Sequence, residues 1–402
     1  MGPGRSGNRA GPDRPPVGRR RRVAALLALP LAAALVASCG TSGPDGRTMA
    51  RALPADADFT HPGVLVGEDQ LAVVRENVTA GRQPWLKAYL DMRDSKYGSY
   101  KYRPEPRETV ICAAGGRSGG GCAEERADAI AAYTQALLFT VTGKRQHAVK
   151  AREIMDAWSA RLKGHGIQDA GWAASTWARA AELVRHTPDA GWPAERVRRF
   201  EDMLRSVHLP AVSRKAPDGS GSQDLVMTDA AISIAVFLED HEAFDRALRR
   251  FRARVPAYFS GKSGVTQDTC RDLRRAGRGI AATSHIAETA WHQGVDLYGE
   301  VEDRLTAALA LHARHRQGKP ASAARCGGRT GRGAAGGSVG KAGNGVGPGL
   351  DVALHHLQDR LGASVPGARR LTAGARPAGT DNLFVAWETL THVAKRGERP
   401  AG

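Results

Sequence analysis

Residues 228–259 read TDAAISIAVFLEDHEAFDRALRRFRARVPAYF. Their apolar residues recur three and four positions apart, as on one face of a helix, and the polar pair Glu239-Asp240 interrupts the pattern. We predict helices over 224–239 and 241–258 that form a hairpin. Strand patterns are almost absent from the chain, so the expected fold class is all-α.

The helical period continues on both sides of this hairpin. Further helices are predicted over 67–93, 123–142, 145–163, 170–186, 193–207, 276–293, 296–315, 350–361 and 381–395. Consecutive helices joined by short turns indicate antiparallel hairpins arranged in an arc or ring. Two stretches lack the period: we interpret residues 94–122 as a loop that covers a cleft, and the Gly/Ala/Arg-rich residues 317–347 as mostly disordered.

The amino terminus has the layout of an export signal. Four arginines (19–22) precede the apolar run VAALLALPLAAALVA, which is too short and too Ala-rich for a membrane-spanning helix. The following Val-Ala-Ser-Cys resembles a bacterial lipobox, which predicts lipid on Cys39 and an extracytoplasmic, membrane-anchored protein at the cell surface. An ordinary signal with a chance cysteine is the alternative. We divide the chain into a signal peptide (1–38), a flexible tether (39–60), a folded domain (61–395) and a tail (396–402).

Export favours disulfides for the other cysteines. Cys112 and Cys122 flank a Gly-rich loop and are predicted to form one bridge, and Cys270 can pair with Cys326. No CxxC, HExxH or His/Cys cluster with zinc spacing occurs, so the sequence gives no case for a metal or other cofactor.

The formal charge of +17 favours a polyanionic partner. Nucleic-acid-binding signatures are missing, and an exported protein seldom meets nucleic acid, so an acidic polysaccharide fits both charge and location. Arginine-rich codon usage is the alternative source of the charge. We expect a monomer.

Several segments resemble the alginate lyase family in their order along the chain, over roughly residues 61–395. They are HPGVLVGEDQL (61–71), GCAEERADAIAAYTQALL (121–138), AGWAASTWARAAELVRHT (170–187), the stretch at 228–259, DTCRDL (268–273), AETAWHQGVDLYGE (287–300) and GTDNLFVAWETLTH (379–392). The resemblance implies an incomplete (α/α) toroid and a polysaccharide lyase that cleaves a uronate polymer by β-elimination. A polysaccharide binder that has lost the chemistry is the second hypothesis, and a purely structural surface protein is the third.

Elimination needs a group that neutralises the uronate carboxylate and a residue that exchanges protons. Arg271, Arg278, His285 and His292 recur every seven residues, on one helical face that also includes Arg275. The opposite face, with Ile280, Ala287 and Trp291, is expected to pack. If the helix lies in an inner ring, its basic face lines the cleft; a solvated basic face is the alternative.

The resemblance implies roles for single residues. It pairs Arg278, as carboxylate neutraliser, with His285, as proton-transfer residue, where relatives carry arginine and tyrosine. Gln223 stands where many relatives have a tryptophan or histidine after an asparagine, and is expected to act as a substitute amide donor. Arg275 replaces a histidine of related chains. Expected substrate-binding residues are Arg271, Tyr133, Trp172, His355 and His356. Packing within the helical body is the alternative for Tyr133 and Trp172.

Overall fold

The structure is a computed structural model. It describes Met1 and residues 49–112, 120–167, 170–216, 221–270, 272–316, 349–372 and 375–393. The chain divides into residues 1–40 and 41–402, and every element named below belongs to the second unit. Apart from Met1, the predicted signal peptide lies outside the described residues, as do Cys39, residues 317–347 and the predicted tail.

The described residues are mostly helical, which confirms the all-α prediction. The helices are α1 Glu68–Thr79, α2 Trp85–Asp94, α3 Cys122–Thr142, α4 Arg145–Ser159, α5 Ala170–His186, α6 Ala194–Met203, α7 Leu209–Ser213, α8 Gly221–Phe237, α9 His241–Tyr258, α10 Leu273–His292, α11 Tyr298–Arg316, α12 Asp351–Leu354, α13 Ala368–Thr372 and α14 Glu388–His392. A 3₁₀ turn spans Lys96–Gly98, and π-helical turns span Leu204–His208 and His355–Arg360. Strands β1 Thr109–Val110 and β2 Gly164–His165 pair in parallel.

The helices form two layers. α3, α5, α8 and α10 pack side by side in that order, whereas α4 covers α3, α9 covers α8 and α11 packs on α10. After its first turn α8 is buried on all sides, and so is α10 from Gly279 onward, as expected for elements with neighbours on every flank. The outer helix α9 buries only a stripe, including Phe244, Leu248 and Phe251.

Gly171 shows how closely the inner helices approach one another. A Cβ atom at this position would lie 3.0 Å from backbone atoms of Val226 and Met227 on α8. Glycine therefore allows α5 and α8 to pack with their backbones nearly in contact.

Most predicted helix bounds agree with the structure, and α5 and α9 agree residue for residue. Two predictions are wrong in part. The predicted helix 67–93 is divided by a turn in which Gly81 has a φ of +69°. The predicted helix 381–395 begins only at Glu388, because the Asp381 carboxylate accepts hydrogen bonds from the amides of residues 383–385 and holds a turn there.

The carboxyl-terminal part of the predicted tether is also packed onto the domain. Ala50 forms a parallel bridge with Val295, its amide donating to the Gly294 carbonyl at 2.8 Å. The Phe59 side chain is buried against Phe244. Residues 50–60 therefore belong to the folded domain, contrary to the prediction.

The tyrosines of the loop 94–122 are anchored to the body of the domain. The Tyr97 hydroxyl donates to Asn382 Oδ1 at 2.9 Å, and the Tyr102 hydroxyl donates to Asp128 Oδ1 at 2.6 Å. The predicted Cys112–Cys122 disulfide is confirmed and links this loop to the first residue of α3. Cys326, the predicted partner of Cys270, lies outside the described residues.

No helix in the described part of the chain is both long enough and apolar enough to span a membrane.

Candidate active site

Four charged or titratable side chains meet at the centre of the inner layer, and we call them the central cluster: Arg179, Asp229, His285 and Glu388. They come from α5, α8, α10 and α14. Arg179 Nη2 donates to Asp229 Oδ2 at 2.6 Å and to His285 Nδ1 at 3.0 Å. His285 Nε2 lies 2.6 Å from Glu388 Oε1. Each of the four is almost or completely inaccessible to solvent.

The hydrogen-bond pattern fixes the tautomer of His285. A guanidinium only donates, so His285 Nδ1 must accept from Arg179, and the proton of the neutral ring lies on Nε2, where it is donated to Glu388. Asp229 Oδ2 lies 3.7 Å from Nδ1. When the ring is protonated, this carboxylate faces the proton on Nδ1.

The charges of the central cluster balance one another. Burial would raise the pKa of Asp229, but Arg179 and His285 outweigh it and lower that pKa below its ordinary value. Burial and Arg179 would lower the pKa of His285, but Glu388 and Asp229 outweigh them and raise it. The ring is thus more easily protonated than a free histidine, although it is buried.

Two carboxylate oxygens of this cluster, and one hydroxyl beside it, have unused hydrogen-bonding capacity. The Tyr133 hydroxyl, Asp229 Oδ1 and Glu388 Oε2 are buried and have no hydrogen-bond partner among the described residues. Burial raises the pKa of Tyr133, Arg179 opposes that shift and Glu388 adds to it. Buried polar atoms are normally paired, and exceptions concentrate where chemistry takes place.

A second level of side chains lies one step along the same helices. Trp172 precedes Arg179 by seven residues and Arg278 precedes His285 by seven, which is about 10 Å along a helix axis. The Arg278 guanidinium lies over the Trp172 ring, 5.5 Å from its centroid. We call Trp172 and Arg278 the upper tier, and Arg179, Asp229 and His285 the lower tier.

Arg278 brings the upper tier into contact with solvent, in contrast to the lower tier. Arg278 is only partly buried, and burial lowers its pKa whereas Asp381 and Asp272 raise it. Trp172 keeps an exposed fraction of 7% and packs on Phe384, whose ring in turn covers His285 at 5.3 Å. Phe384 therefore separates the two tiers.

Gln223 lies in the first turn of α8, six residues before Asp229, and is partly buried. Six helical residues turn the side-chain direction by about 120°, so Gln223 and Asp229 belong to different faces of α8. Gln223 is therefore at the level of the upper tier but not directly above the central cluster.

The predicted basic row on α10 runs from solvent into the core. The Arg275 side chain is 51% exposed and lies 3.9 Å from Asp272, and Arg278 is partly buried. His285 is completely buried. Arg271 lies outside the described residues. From Gly279 onward both faces of the helix are buried, so a face of α10 that contacts a cleft is restricted to its first turns, contrary to the prediction.

The remaining predicted binding residues are structural neighbours of the core. His356 is buried, its ring stacked on Tyr298 at 3.6 Å. His355 is partly exposed, and its Nδ1 pairs with Asp359 Oδ2 at 2.8 Å. Tyr133 is fully buried, beside the central cluster.

Sequence reasoning missed Arg179, Asp229 and Glu388 as residues of the site. Asp229 is not at a helix end; it lies in the middle of α8 and pairs with Arg179. The available signal was a charged residue inside a helix that is otherwise apolar, as in AGWAASTWARAAEL, because a charge is seldom buried without a partner.

A second ionic cluster lies further along α10. Glu288 accepts hydrogen bonds from Arg360 Nη2 and Nη1, at 2.6 and 2.8 Å, and from the Tyr298 hydroxyl at 2.9 Å. Burial would raise the pKa of Glu288, but Arg360 and His292 lower it well below its ordinary value. These contacts join α10 to the segment that follows α12.

Comparison with solved structures places the fold among helical toroids. Alginate lyase A1-III from Sphingomonas species A1 matches with a TM-score of 0.60 and 17% identity, over 84% of this chain and 98% of that chain. A histidine-to-alanine variant of alginate lyase A1-III, complexed with a tetrasaccharide, matches with a TM-score of 0.61 and 16% identity, over 83% and 96%. An alginate lyase from Bacteroides ovatus matches with a TM-score of 0.53 and 13% identity, over 84% and 100%. At these identities the likeness establishes the (α/α) toroid fold alone.

The sequence itself defines the family. The alginate lyase family model matches residues 120–323, slightly more than half of the chain, including both tiers. The chain therefore belongs to the alginate lyase family, as its motifs predicted. The comparison with curated proteins gives no match.

Proposed function

We propose that this protein is a polysaccharide lyase that cleaves an alginate-like uronate polymer by β-elimination. The observation that carries the proposal is the family match over residues 120–323, which contains the helices that hold the upper and lower tiers. The net charge of +17 favours such a polyanion as substrate.

In this reaction a base takes the C5 proton, the C5–H electron pair forms the C4=C5 double bond, and the C4–O bond breaks as its oxygen takes up a proton. The uronate carboxylate must first be neutralised, because negative charge develops next to it. Arg278 is the cation at the solvent-facing level of the inner helices, and we assign it this role, with Gln223 as an assisting amide donor.

We assign the proton exchange to His285. Its Nδ1 carries no proton in the neutral ring, and Glu388 and Asp229 raise the pKa of the ring, so Nδ1 is suited to take up a proton once Arg179 turns away from it. Tyr133, whose hydroxyl has no hydrogen-bond partner among the described residues, is close enough to the cluster to assist. Because Phe384 covers His285, the proposal requires the turn at 381–387 to move when the polymer binds.

The remaining expected residues have supporting roles. Trp172 lies under Arg278 and packs on Phe384, so it can stack on a sugar ring only after Arg278 moves aside. Arg275 offers an exposed charge. Arg271, His355 and His356 stay predicted substrate contacts, of which His356 needs the largest rearrangement because it is stacked in the core.

The activity is tested with the full chain on polymannuronate, polyguluronate and other polyuronates, by following the ultraviolet absorbance of the unsaturated product. We expect absorbance to rise on at least one polyuronate. Binding without any cleavage across the panel would contradict the lyase and favour the polysaccharide-binding alternative.

The assignment of His285 is tested by His285→Gln, with Ser284→Ala as the matched control one residue away on the same buried turn. We expect His285→Gln to lower kcat by about 100-fold, and Ser284→Ala to change it by less than about 3-fold. Circular dichroism of both variants establishes that they are folded. A folded His285→Gln variant with full activity would remove His285 from the mechanism.

We further propose that the chain is exported and anchored to the membrane through lipid on Cys39. The lipobox-like Val36-Ala37-Ser38-Cys39 supports this location. Mass spectrometry of the membrane-extracted protein is expected to find a diacylglyceryl group on Cys39 as the new amino terminus, and Cys39→Ser is expected to lack it. An unmodified cysteine in a cleaved, soluble product would favour the ordinary export signal.

A further inference from the structure

Three side chains with metal-ligating atoms lie together outside both tiers, where the segment before α1 meets the end of α5. They are His61, Glu182 and His186, and their ligand atoms lie within 4.8 Å of one another. Glu182 and His186 are four residues apart on α5 and so share one helical face. This spacing lets two side chains of one helix bind the same ion.

The hydrogen bonds of this group leave one oxygen of Glu182 unused. Its Oε1 accepts from His61 Nδ1 at 2.7 Å and from the Gly63 amide at 3.0 Å. Its Oε2 has no hydrogen-bond partner among the described residues, although it is buried and the Glu182 side chain is only 1% exposed. A carboxylate oxygen in this position costs free energy unless something pairs with it.

His186 presents a nitrogen to the same space. Its Nε2 is buried, has no hydrogen-bond partner in the described part of the chain, and lies 3.9 Å from Glu182 Oε2. Burial, His61 and Arg185 lower the pKa of His186 to about 3, so its ring is neutral and can offer a lone pair to a metal.

The distance between these atoms suits a bridging ion. Two metal–ligand bonds of about 2.0–2.1 Å at a tetrahedral angle separate their ends by about 3.3 Å. The observed 3.9 Å closes to that value with a side-chain movement of about half an ångström. Direct hydrogen bonding between the two atoms would instead require them to be about 1 Å closer.

His61 completes the donor set. Its ring stacks on that of His186, with centroids 4.1 Å apart and planes 5° apart, so in this arrangement the ring lies beside the gap. Rotation of the ring about its Cβ–Cγ bond would turn a nitrogen toward Glu182 Oε2, and would give up the bond to Oε1, the stacking on His186 and the 3.9 Å approach of Nε2 to Glu239. The nearby Arg185 is engaged by Glu201 at 2.5 Å, which limits its repulsion of a cation.

A second group of two histidines and one glutamate differs, because both oxygens of its carboxylate are already hydrogen-bonded. Glu125 Oε2 lies 2.8 Å from His165 Nε2, and Glu125 Oε1 lies 2.8 Å from His208 Nε2. Trp177 also donates to this carboxylate, at 3.3 Å. Both oxygens of Glu125 are thus already paired, so that group is explained by hydrogen bonding.

We propose that His61, Glu182 and His186 bind a divalent transition metal ion, with Zn²⁺ as the expected occupant, and that the ion fastens the segment before α1 to α5. Imidazole nitrogens with a carboxylate favour Zn²⁺, Ni²⁺ or Cu²⁺ over Mg²⁺ and Ca²⁺, which prefer oxygen ligands alone.

The experiment is calorimetric titration of the full chain, treated with a chelator and dialysed, with ZnCl₂ and separately with CaCl₂. We expect saturable binding of one Zn²⁺ at this site, no comparable Ca²⁺ binding, and a Tm that rises with Zn²⁺ concentration. His186→Ala is expected to weaken Zn²⁺ binding by at least about 100-fold, and His61→Ala by at least about 10-fold.

The matched control is His355→Gln. His355 and Asp359 are also a histidine and a carboxylate four residues apart, but they are joined directly at 2.8 Å. This variant should bind Zn²⁺ within about 2-fold of the unaltered chain. His186 is partly exposed, so His186→Ala is expected to remain folded, which circular dichroism checks. Absence of saturable Zn²⁺ binding, or unchanged affinity in a folded His186→Ala variant, would overturn the proposal and leave a bridging water as the occupant of the gap.

Discussion

The upper and lower tiers are built on the same helices, yet they differ in almost every physical respect. Arg278 is partly solvated and lies over the ring of Trp172, whereas seven residues further along α5 and α10 Arg179 and His285 are fully enclosed. Seven residues preserve the helical face but move the side chain about 10 Å along the axis. Sequence spacing therefore determines the direction in which a side chain points from the helix, whereas the burial of that side chain depends on what covers the helix.

The largest expected effect comes from breaking the lower tier. Arg179→Met leaves Asp229 buried without its cation, so we expect the free energy of unfolding to fall by about 3–5 kcal/mol. Arg185→Met on the same helix is the control, because Arg185 is partly exposed and its pair with Glu201 contributes about 0–1 kcal/mol. Chemical denaturation measures both. Equal effects would mean that the buried Arg179–Asp229 pair stabilises the fold no more than a partly exposed pair on the same helix.

A smaller loss of stability is expected at low pH, through a buried histidine near the carboxyl end of α10. Burial, with Arg360 and His355, lowers the pKa of His356 to about 3, although Glu288 opposes the shift. The unfolded chain takes up this proton near pH 6.5, so stability is intact above that pH and is lost as the pH falls toward 3. About 3 kcal/mol is lost between pH 7 and pH 4 through this residue.

The variant His356→Phe keeps a ring beside Tyr298 and removes the titration, so its free energy of unfolding should depend less on pH over that window. His241→Phe, at a partly exposed position at the start of α9, is the control. A pH dependence that is the same in all three proteins would show that His356 is not kept neutral by the fold.

A substitution at the upper tier is expected to lower activity and to leave stability nearly unchanged. Arg278→Ala is expected to lower kcat/KM by about 100-fold, a loss of about 2.7 kcal/mol of transition-state stabilisation. The free energy of unfolding should fall by less than about 1 kcal/mol, because Arg278 is partly solvated. A large loss of stability with unchanged turnover would reverse the comparison between the tiers.

The smallest effect is expected at the solvent end of the basic row. Arg275 is 51% exposed, so Arg275→Ala should raise KM for a polyuronate by less than about 3-fold and leave kcat unchanged. The effect should vanish at high salt, which screens exposed charges. A loss of kcat that persists at high salt would place Arg275 in the reaction itself.

The sequence predicted the elements well where one period dominates. α5 and α9 have no internal glycine turn and no competing cap, and their predicted and observed bounds coincide. The region after Asp381 was mispredicted because a single carboxylate accepting several backbone amides outweighs helical spacing. The packing of residues 50–60 depends on contacts with residues more than 180 positions away, which a local pattern cannot contain.

The candidate site was only partly accessible to sequence reasoning for a similar reason. Arg278 and His285 were found because they lie on one helix with regular spacing. Arg179, Asp229 and Glu388 lie on three other elements and form a cluster only after the inner layer has assembled. The burial of His285 also follows from Phe384, which is distant in sequence, so no pattern within α10 could reveal it.

If Cys39 carries the proposed lipid, the bridge between Ala50 and Val295 limits how far the folded domain can lie from that anchor. Eleven residues lead from Cys39 to Ala50, and at about 3.5 Å per residue a chain of that length spans no more than about 40 Å. The enzyme would then sample a thin shell above the bilayer and meet polymer strands as they pass close to the cell envelope.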